Sequence, residues 1–297
     1  MQMALVEQRI FFLVIIYNKE LKDALTLQSF LDFNFKNSNL TIFNNGPTPI
    51  DSNPELISAL LNAFDEVSYE VHLENMPLSI AYNNFIEKHS DGTRFVLLDD
   101  DTLITKTFAE RINAPQNDFD LELPTIISPS DGKIHYPIIN KKPAPSALLL
   151  PTDKLFSIGS GLIISRNLIT KFEQHDLKLF DECFALYGVD FSFFRRIGFL
   201  THQKVKFSIV STCELIHSLS RLDDTGQDES RNIERIIDKV LCARRYPNLE
   251  FYNFLFRKIA RSALSLNFSL ISLIFKIYFS GYHPRCKDYL KLRDITD

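Results

Sequence analysis

The chain has 297 residues, 45% hydrophobic and 24% charged, with a net charge of −4. Such a balance argues against a disordered segment, and the length suffices for one large α/β domain with an appendage and no disulfide staples. The four cysteines (Cys183, Cys213, Cys242, Cys286) lie far apart with no Cys-x-x-Cys pair, which argues against a zinc knot or disulfide framework and fits a reducing cytoplasm.

Ile10–Tyr17 is a continuous apolar run preceded by Glu7-Gln8-Arg9. It is too short to cross a bilayer and carries no signal-peptide pattern, so it reads as a buried parallel strand. Residues 20–33 follow with helical spacing of Leu21, Leu25, Leu27 and Leu31. A second strand over Leu40–Phe43 stops at Asn44-Asn45-Gly46-Pro47, a turn signal. A helix is predicted at Pro54–Phe64, a strand at Tyr69–Leu73 and a helix at Leu78–His89. A third apolar strand, Phe95–Leu98, runs straight into Asp99-Asp100-Asp101. Alternation of this kind predicts βαβ units on a parallel sheet, whose ligands bind at the carboxyl ends of the strands.

Beyond residue 122 the pattern is less regular. Leu123–Ala147 holds five prolines and reads as an irregular crossing or lid, with a short strand at Ile134–Ile139. Strands are predicted at Ser157–Ile164 and Val205–Ile209, with Leu215-Ile216-His217 close behind. A helix is expected from Asn167 and another within Phe180–Phe194, around Asp190. From Ser230 to the end the pattern is helical.

Asp99-Asp100-Asp101 is the strongest chemical signal. Three successive carboxylates repel one another, and a strand end that concentrates them offers a cation in return. Asp99 and Asp101 share a side-chain phase on an extended chain, so both can face one cleft. An isolated acidic triplet would read as a solvated turn; its place directly after a buried strand favours the cation site. No phosphate-cradling glycine loop and no nucleophile elbow is present, and the nine glycines are few for a dinucleotide fold.

Phe95-Val-Leu-Leu-Asp99-Asp100-Asp101 resembles the strand and DxD motif of family 2 glycosyltransferases, particularly rhamnosyltransferase-like enzymes of bacterial O-antigen and capsule synthesis. Other landmarks follow in order over residues 10 to 220. Val14–Asn18 resembles the first strand, which implies Tyr17 and Asn18 near the nucleotide base. Thr41–Gly46 resembles the second, which implies Asn44 in the nucleotide-sugar site, at the position where the family usually has an acid that contacts the base. Asn75-Met-Pro-Leu-Ser-Ile-Ala-Tyr-Asn83 resembles the N-x-G-x-x-x-A-x-N segment, with Pro77 in place of glycine. Ser160–Arg166 resembles the strand on the acceptor side. Tyr187-Gly188-Val189-Asp190 resembles the segment ending in the ED pair, with Val189 in place of the first acid.

The resemblance implies a GT-A fold, an α/β architecture with a Rossmann-like, mostly parallel sheet and a C-terminal helical extension. It implies a catalytic domain over residues 1–228 (donor half to about 105) and the extension over 229–297. By the same resemblance Asp99 and Asp101 hold Mg²⁺ or Mn²⁺, with His217 as a third ligand, and Asp99, Asp100 and Asn83 join the nucleotide-sugar site. Asp190 is the expected general base, with Asp181 and Glu182 as substitutes. The donor would be a UDP- or dTDP-sugar and the acceptor a saccharide, lipid-linked in the surface-polysaccharide enzymes; nucleic acid is not an expected partner. A scaffold that kept the fold without activity, or a nucleotidyltransferase, is the competing reading; the latter would want a glycine-rich basic loop where Tyr17-Asn18-Lys19-Glu20 stands.

From Arg235 to Asp297 there are 12 Lys+Arg and 5 Asp+Glu, so the acidic excess lies in the body. Ser262, Ser265, Ser269, Ser272, Lys276 and Ser280 recur at steps of three or four and predict one polar stripe on a long apolar helix. Arg257, Lys258 and Arg261 precede it; Arg285 and Lys287 follow. A broad apolar face with basic flanks predicts a helix lying in a membrane interface, the alternative being a helix packed on the catalytic domain; the resemblance implies that this membrane face is the inner, cytoplasmic one.

Overall fold

Every residue of Ile10–Ile16 (β1) is buried, as an unbroken apolar run demands of a strand covered on both faces. The structure, a computed structural model, describes residues 8–51, 53–115, 119–144, 149, 154–219 and 229–296. After β1 come α1 (Leu25–Phe30), β2 (Ser38–Asn44), α2 (Pro54–Leu60), β3 (Glu66–Val71), α3 (Leu78–Lys88), β4 (Arg94–Asp99), β5 (Thr102–Ile104) and α4 (Lys106–Asn113). Short strands follow: β6 (Leu121–Glu122), β7 (Thr125–Ile127), β8 (Ile134–Tyr136), β9 (Ile138–Ile139), β10 (Lys142–Pro143) and β11 (Leu155–Phe156). Then come β12 (Leu162–Ser165), α5 (Arg166–Glu173), α6 (Gly188–His202), β13 (Ile209–Val210) and β14 (Glu214–His217). The chain continues through α7 (Glu229–Arg245), α8 (Leu249–Leu264), α9 (Phe268–Ser280) and α10 (Pro284–Thr296).

The chain divides into two compact units. The first comprises Met1–Asn75, Asn84–Lys178 and Ile197–Asp223, and holds the sheets. Its main sheet has the order β13-β6-β12-β4-β1-β2-β3, with β4, β1, β2 and β3 parallel and β12 antiparallel to β4. Register aligns the carboxyl ends that matter: Ile16 pairs with Asn44, and Ile15 with Asp99. A second sheet, β5-β14-β7-β8, sets His217 opposite Thr102. Beneath β1, the rings of Phe12, Phe30, Phe35 and Phe64 pack with centroids 5.0 to 5.7 Å apart. Each such buried ring contributes on the order of 2–3 kcal/mol, which anchors the strand that delivers Tyr17 and Asn18.

The second unit comprises Met76–Asn83, Leu179–Arg196 and Asp224–Asp297. Here α7 packs against both α8 and α9. The buried Asp181 accepts hydrogen bonds from Arg245 Nε at 2.8 Å and the Tyr246 hydroxyl at 2.9 Å, and Arg196 lies 3.4 Å away. One carboxylate thus ties the segment before α6 to the last turn of α7. The expected domain boundary at 228 falls outside the described residues.

Several expectations need correction. The helix foreseen over residues 20–33 is a 3-10 turn (Leu21–Asp23) followed by the six-residue α1. The strand foreseen at Ser157–Ile164 begins only at Leu162, because Gly161 turns the chain at φ 93°. The helix expected around Asp190 is present as α6 but runs beyond Phe194 to His202, while Phe180 lies before it with its amide N–H and carbonyl both held by the Asn83 side chain. Leu123–Ala147 is not wholly irregular: β7, β8, β9 and β10 form within it, while 145–147 lie outside the described residues. Finally, the serine stripe is not carried by one helix. α8 ends at Leu264 and α9 begins at Phe268, and Ser262 is buried while Ser265, Ser269 and Ser272 are exposed. Among the described residues no helix is long and apolar enough to cross a membrane.

Candidate active site

Strand β4 carries Phe95-Val96-Leu97-Leu98 through the buried centre of the sheet and releases Asp99, Asp100 and Asp101 at its carboxyl end. Hydroxyl groups fix the turn that follows. The Thr26 hydroxyl donates to Asp99 O and accepts the Thr102 N–H at 2.9 Å. Ser160 Oγ accepts the Asp99 N–H at 3.0 Å and shares a 2.7 Å hydrogen bond with Thr102 Oγ1. Thr102 Oγ1 in turn shares a 2.9 Å hydrogen bond with His217 Nδ1, which lies 3.2 Å from Asp101 Oδ1.

Ser160 reaches this position because Gly161 follows it. The Gly161 N–H donates to Leu97 O at 2.7 Å, and a Cβ there would lie 2.5 Å from Leu215 Cδ1. Its left-handed φ and that close approach both call for glycine.

Asp99, Asp101 and His217 each offer one ligand atom, and these atoms lie within 4.8 Å of one another. Two carboxylates and an imidazole suit a divalent cation such as Mg²⁺ or Mn²⁺. The electrostatics agree. Burial pushes the Asp101 carboxyl above the usual range; His217 pulls it down, and the Asp100 charge adds to the rise. A cation among these groups would offset both the burial cost and the repulsion. The triplet is not extended as expected: β4 ends at Asp99 and Asp100-Asp101 form a turn, in which Asp100 has partners of its own. It pairs with Lys19 and accepts the Tyr17 N–H at 3.4 Å.

The other expected residues fall into different surroundings. Tyr17 is exposed at the end of β1, and Asn18, at φ 50°, donates its N–H to Gly46 O at 2.8 Å. Asn44 is fully buried. Its amide nitrogen donates to Thr48 O at 3.0 Å and to the Tyr69 hydroxyl at 3.3 Å, and its Oδ1 accepts the Gly46 N–H at 2.9 Å. The side chain therefore shapes the turn after β2 and is engaged on both its donor and acceptor sides.

In the second unit, Asn83 is also buried, donating to Phe180 O at 3.0 Å and Glu182 Oε1 at 3.1 Å. Asp190 is half-buried in the first turn of α6. Val189, where the resemblance would place an acid, is buried, and an apolar side chain suits that position. Asp181 is engaged by its cations: burial would raise its carboxyl, but Arg196 and Arg245 outweigh it and hold it below the usual range. Sequence reasoning missed Thr26 and Thr102 as the frame of the acidic turn, and it saw Ser160 without its role. Their hydroxyls carry no spacing signal; only the position of Thr102, directly after the acids, hinted at one.

This arrangement of sheet, acidic strand end and antiparallel β12 is the GT-A form of the α/β fold. No protein-family model and no curated protein matches the chain. Solved structures do. GalNAc-T7 with UDP, GalNAc and Mn²⁺ superposes with a TM-score of 0.52 at 13% identity over 87% of this chain. S. aureus TarS 1–349 gives 0.51 at 12% identity over 96% of this chain and 92% of its own. A longer TarS chain gives 0.50 at 13% identity over 80% of this chain. The present chain spans 39% of that longer TarS chain and 57% of GalNAc-T7. At such identities the likeness is one of fold.

Proposed function

We propose that the protein is a metal-dependent, inverting glycosyltransferase of the family 2 kind, transferring a sugar from a nucleotide-diphospho-sugar to a saccharide hydroxyl. The observation that carries this reading is the cluster of Asp99, Asp101 and His217 at the carboxyl end of a central parallel strand in a GT-A fold. Mn²⁺ and UDP in the GalNAc-T7 structure support the same reading by analogy of fold.

Asp99, Asp101 and His217 would hold the divalent ion. When bound, the ion supplies positive charge that stabilises the departing nucleoside diphosphate. Thr26 and Ser160 fix the backbone of the acidic turn, and the Thr102 hydroxyl meets His217 Nδ1, so the ligand residues are held in place from outside. Tyr17 and Asn18 lie at the strand end assigned to the nucleotide. Asp190 takes the proton of the acceptor hydroxyl, whose oxygen attacks the anomeric carbon as the bond to the diphosphate breaks on the opposite face. Attack from the opposite face inverts that centre. The donor is a UDP- or dTDP-sugar, and the acceptor is a lipid-linked intermediate of bacterial surface polysaccharide.

A thermal-shift screen against UDP-, dTDP- and GDP-sugars, each with and without Mn²⁺, tests the donor site. Stabilisation by one nucleotide class, larger with Mn²⁺ and lost in Asp101→Ala, is expected. Asp190→Asn should keep that shift and lose transfer. No shift with any donor would favour a scaffold that kept the fold, and an equal shift in Asp101→Ala would refute the metal assignment.

A further inference from the structure

The turn joining α8 to α9 is built in a way that burial within the chain does not explain. α8 closes with a Schellman pattern: Leu266 N–H donates to Ala263 O at 3.1 Å, and Asn267 N–H to Ser262 O at 2.8 Å. Asn267 also opens α9, its Oδ1 accepting the Leu270 N–H at 3.0 Å. The residue between them, Leu266, sits at φ 54°, where glycine or asparagine is ordinary and a leucine is strained. Yet it is 73% exposed, between Leu264 at 87% and Phe268 at 65%. Three large apolar side chains thus crowd a turn that polar residues would make more easily.

The apolar surface continues along both helices. On α8, Phe256 shares a face with the exposed Leu249 and Tyr252. On α9, Phe268, Phe275 and Phe279 recur at helical spacing and are all exposed, the last two stacked with centroids 6.2 Å apart. Other faces are already covered: Leu255, Ile274 and Ile277 are buried, and both helices pack against α7. From Leu249 to Ser280 the charges are Arg257, Lys258, Arg261 and Lys276 against the single acid Glu250. Arg257, Arg261 and Lys276 are exposed.

We propose that the α8–α9 turn is a membrane wedge: Leu264, Leu266 and Phe268 enter the interface of an anionic bilayer while Arg257, Lys258 and Arg261 meet lipid phosphates. Charge selects this occupant. A second copy docked on the same face by a two-fold axis would set these cations against their own images, whereas anionic headgroups complement them. This inference deepens the reading of a lipid-linked acceptor and uses no residue of the metal cluster.

The test uses the full chain and vesicles of phosphatidylcholine, with and without about a third phosphatidylglycerol. The chain has no tryptophan, so Leu266→Trp places one probe at the turn. Its emission should shift to the blue and be quenched by brominated acyl chains only with anionic vesicles. In sedimentation, Leu264→Ser/Leu266→Asn/Phe268→Ser should lose vesicle binding, and Arg257→Ser/Lys258→Ser/Arg261→Ser should weaken it about a hundredfold. Both should keep the Mn²⁺-dependent nucleotide shift, so failure here is separable from failure of the donor site. Emission unchanged by vesicles, or equal sedimentation of the triple apolar variant, would overturn the wedge. So would a dimer in light scattering that the same three apolar substitutions dissolve.

Discussion

Asp238, on α7, offers a test whose magnitude follows from the structure. Its carboxylate is buried, neither oxygen accepts a hydrogen bond of normal geometry, and Oδ1 lies 3.1 Å from where a Cβ on Gly188 would stand. Burial first, and then the Glu234 charge, push this carboxyl up to about 7, against the Gly188 N–H, Arg285 and the Tyr187 N–H. Glu234 is itself engaged by His283 and Arg285, each at 3.0 Å. An aspartate ordinarily titrates near 3.8. Between that value and about 7 the folded chain keeps a proton that the unfolded chain has released, so stability falls as pH rises through this window. At about 1.4 kcal/mol per pH unit the total is about 4 kcal/mol. Asp238→Asn mimics the neutral form at every pH. The variant should match the wild type within about 1 kcal/mol at pH 4, and exceed it by as much as about 4 kcal/mol at pH 8. For a chain of 297 residues that corresponds to at most about 6 °C in the unfolding midpoint. Thermal unfolding of both proteins in steps from pH 4 to pH 8 reads the difference, in which the other titrating groups cancel. A midpoint difference independent of pH, or a variant less stable at pH 8, would refute the reasoning.

Other substitutions probe the frame around the site. Ser160→Ala removes the hydroxyl that meets Asp99 N–H and Thr102, and should weaken Mn²⁺ binding by about ten- to a hundredfold in calorimetry. Unchanged affinity would show that the hydroxyl frame does not tune the ligands. Gly161→Ala meets both a φ of 93° and Leu215 Cδ1 at 2.5 Å, and should cost about 1–3 kcal/mol in denaturant unfolding. Asp181→Asn leaves Arg245 and Arg196 without their carboxylate; with Arg245 partly solvated, the loss should be about 3 kcal/mol at neutral pH. Because the folded Asp181 carboxyl lies below its ordinary range, its stabilisation is present above that range and is lost as pH falls. The gap between wild type and Asp181→Asn should therefore narrow in acid, and a gap that widened would contradict the ion pairing.

The legible parts of this fold are those that a run of residues determines by itself. β1 and β4 are covered on both faces, so their apolar runs are unbroken and their ends unmistakable. Once the strand ends are known, the parallel register brings the ends of β1, β2 and β4 together; the separation of Asp100 from Asp99 and Asp101 comes instead from the turn that follows β4. What stayed hidden depends on pairing between distant segments. Thr102 meets Ser160 and His217 because β12 lies against β4 and β14 against β5, contacts spanning 58 and 115 residues for the two hydrogen bonds of Thr102. Asn44 was visible as a polar residue at a strand end, but the turn after β2 takes its amide, which no spacing announces.

The C-terminal helices show the complementary limit. A period of three to four residues records the phase of a helix and not its end. The serines keep nearly the same phase across the break, so periodicity reads Ser262 to Ser280 as one element. The end is set locally, by a backbone reversal at Leu266 and by Asn267, whose side chain caps the next helix. Asn267 before an apolar run is itself a helix-start signal, one that the serine periodicity does not contain. The break changes the meaning of the segment. One continuous helix would lay a stripe of serines along its length, whereas two helices bring Leu264, Leu266 and Phe268 together at an exposed turn. Apolar surface gathered at a turn can enter a bilayer interface without requiring a helix long enough to span it.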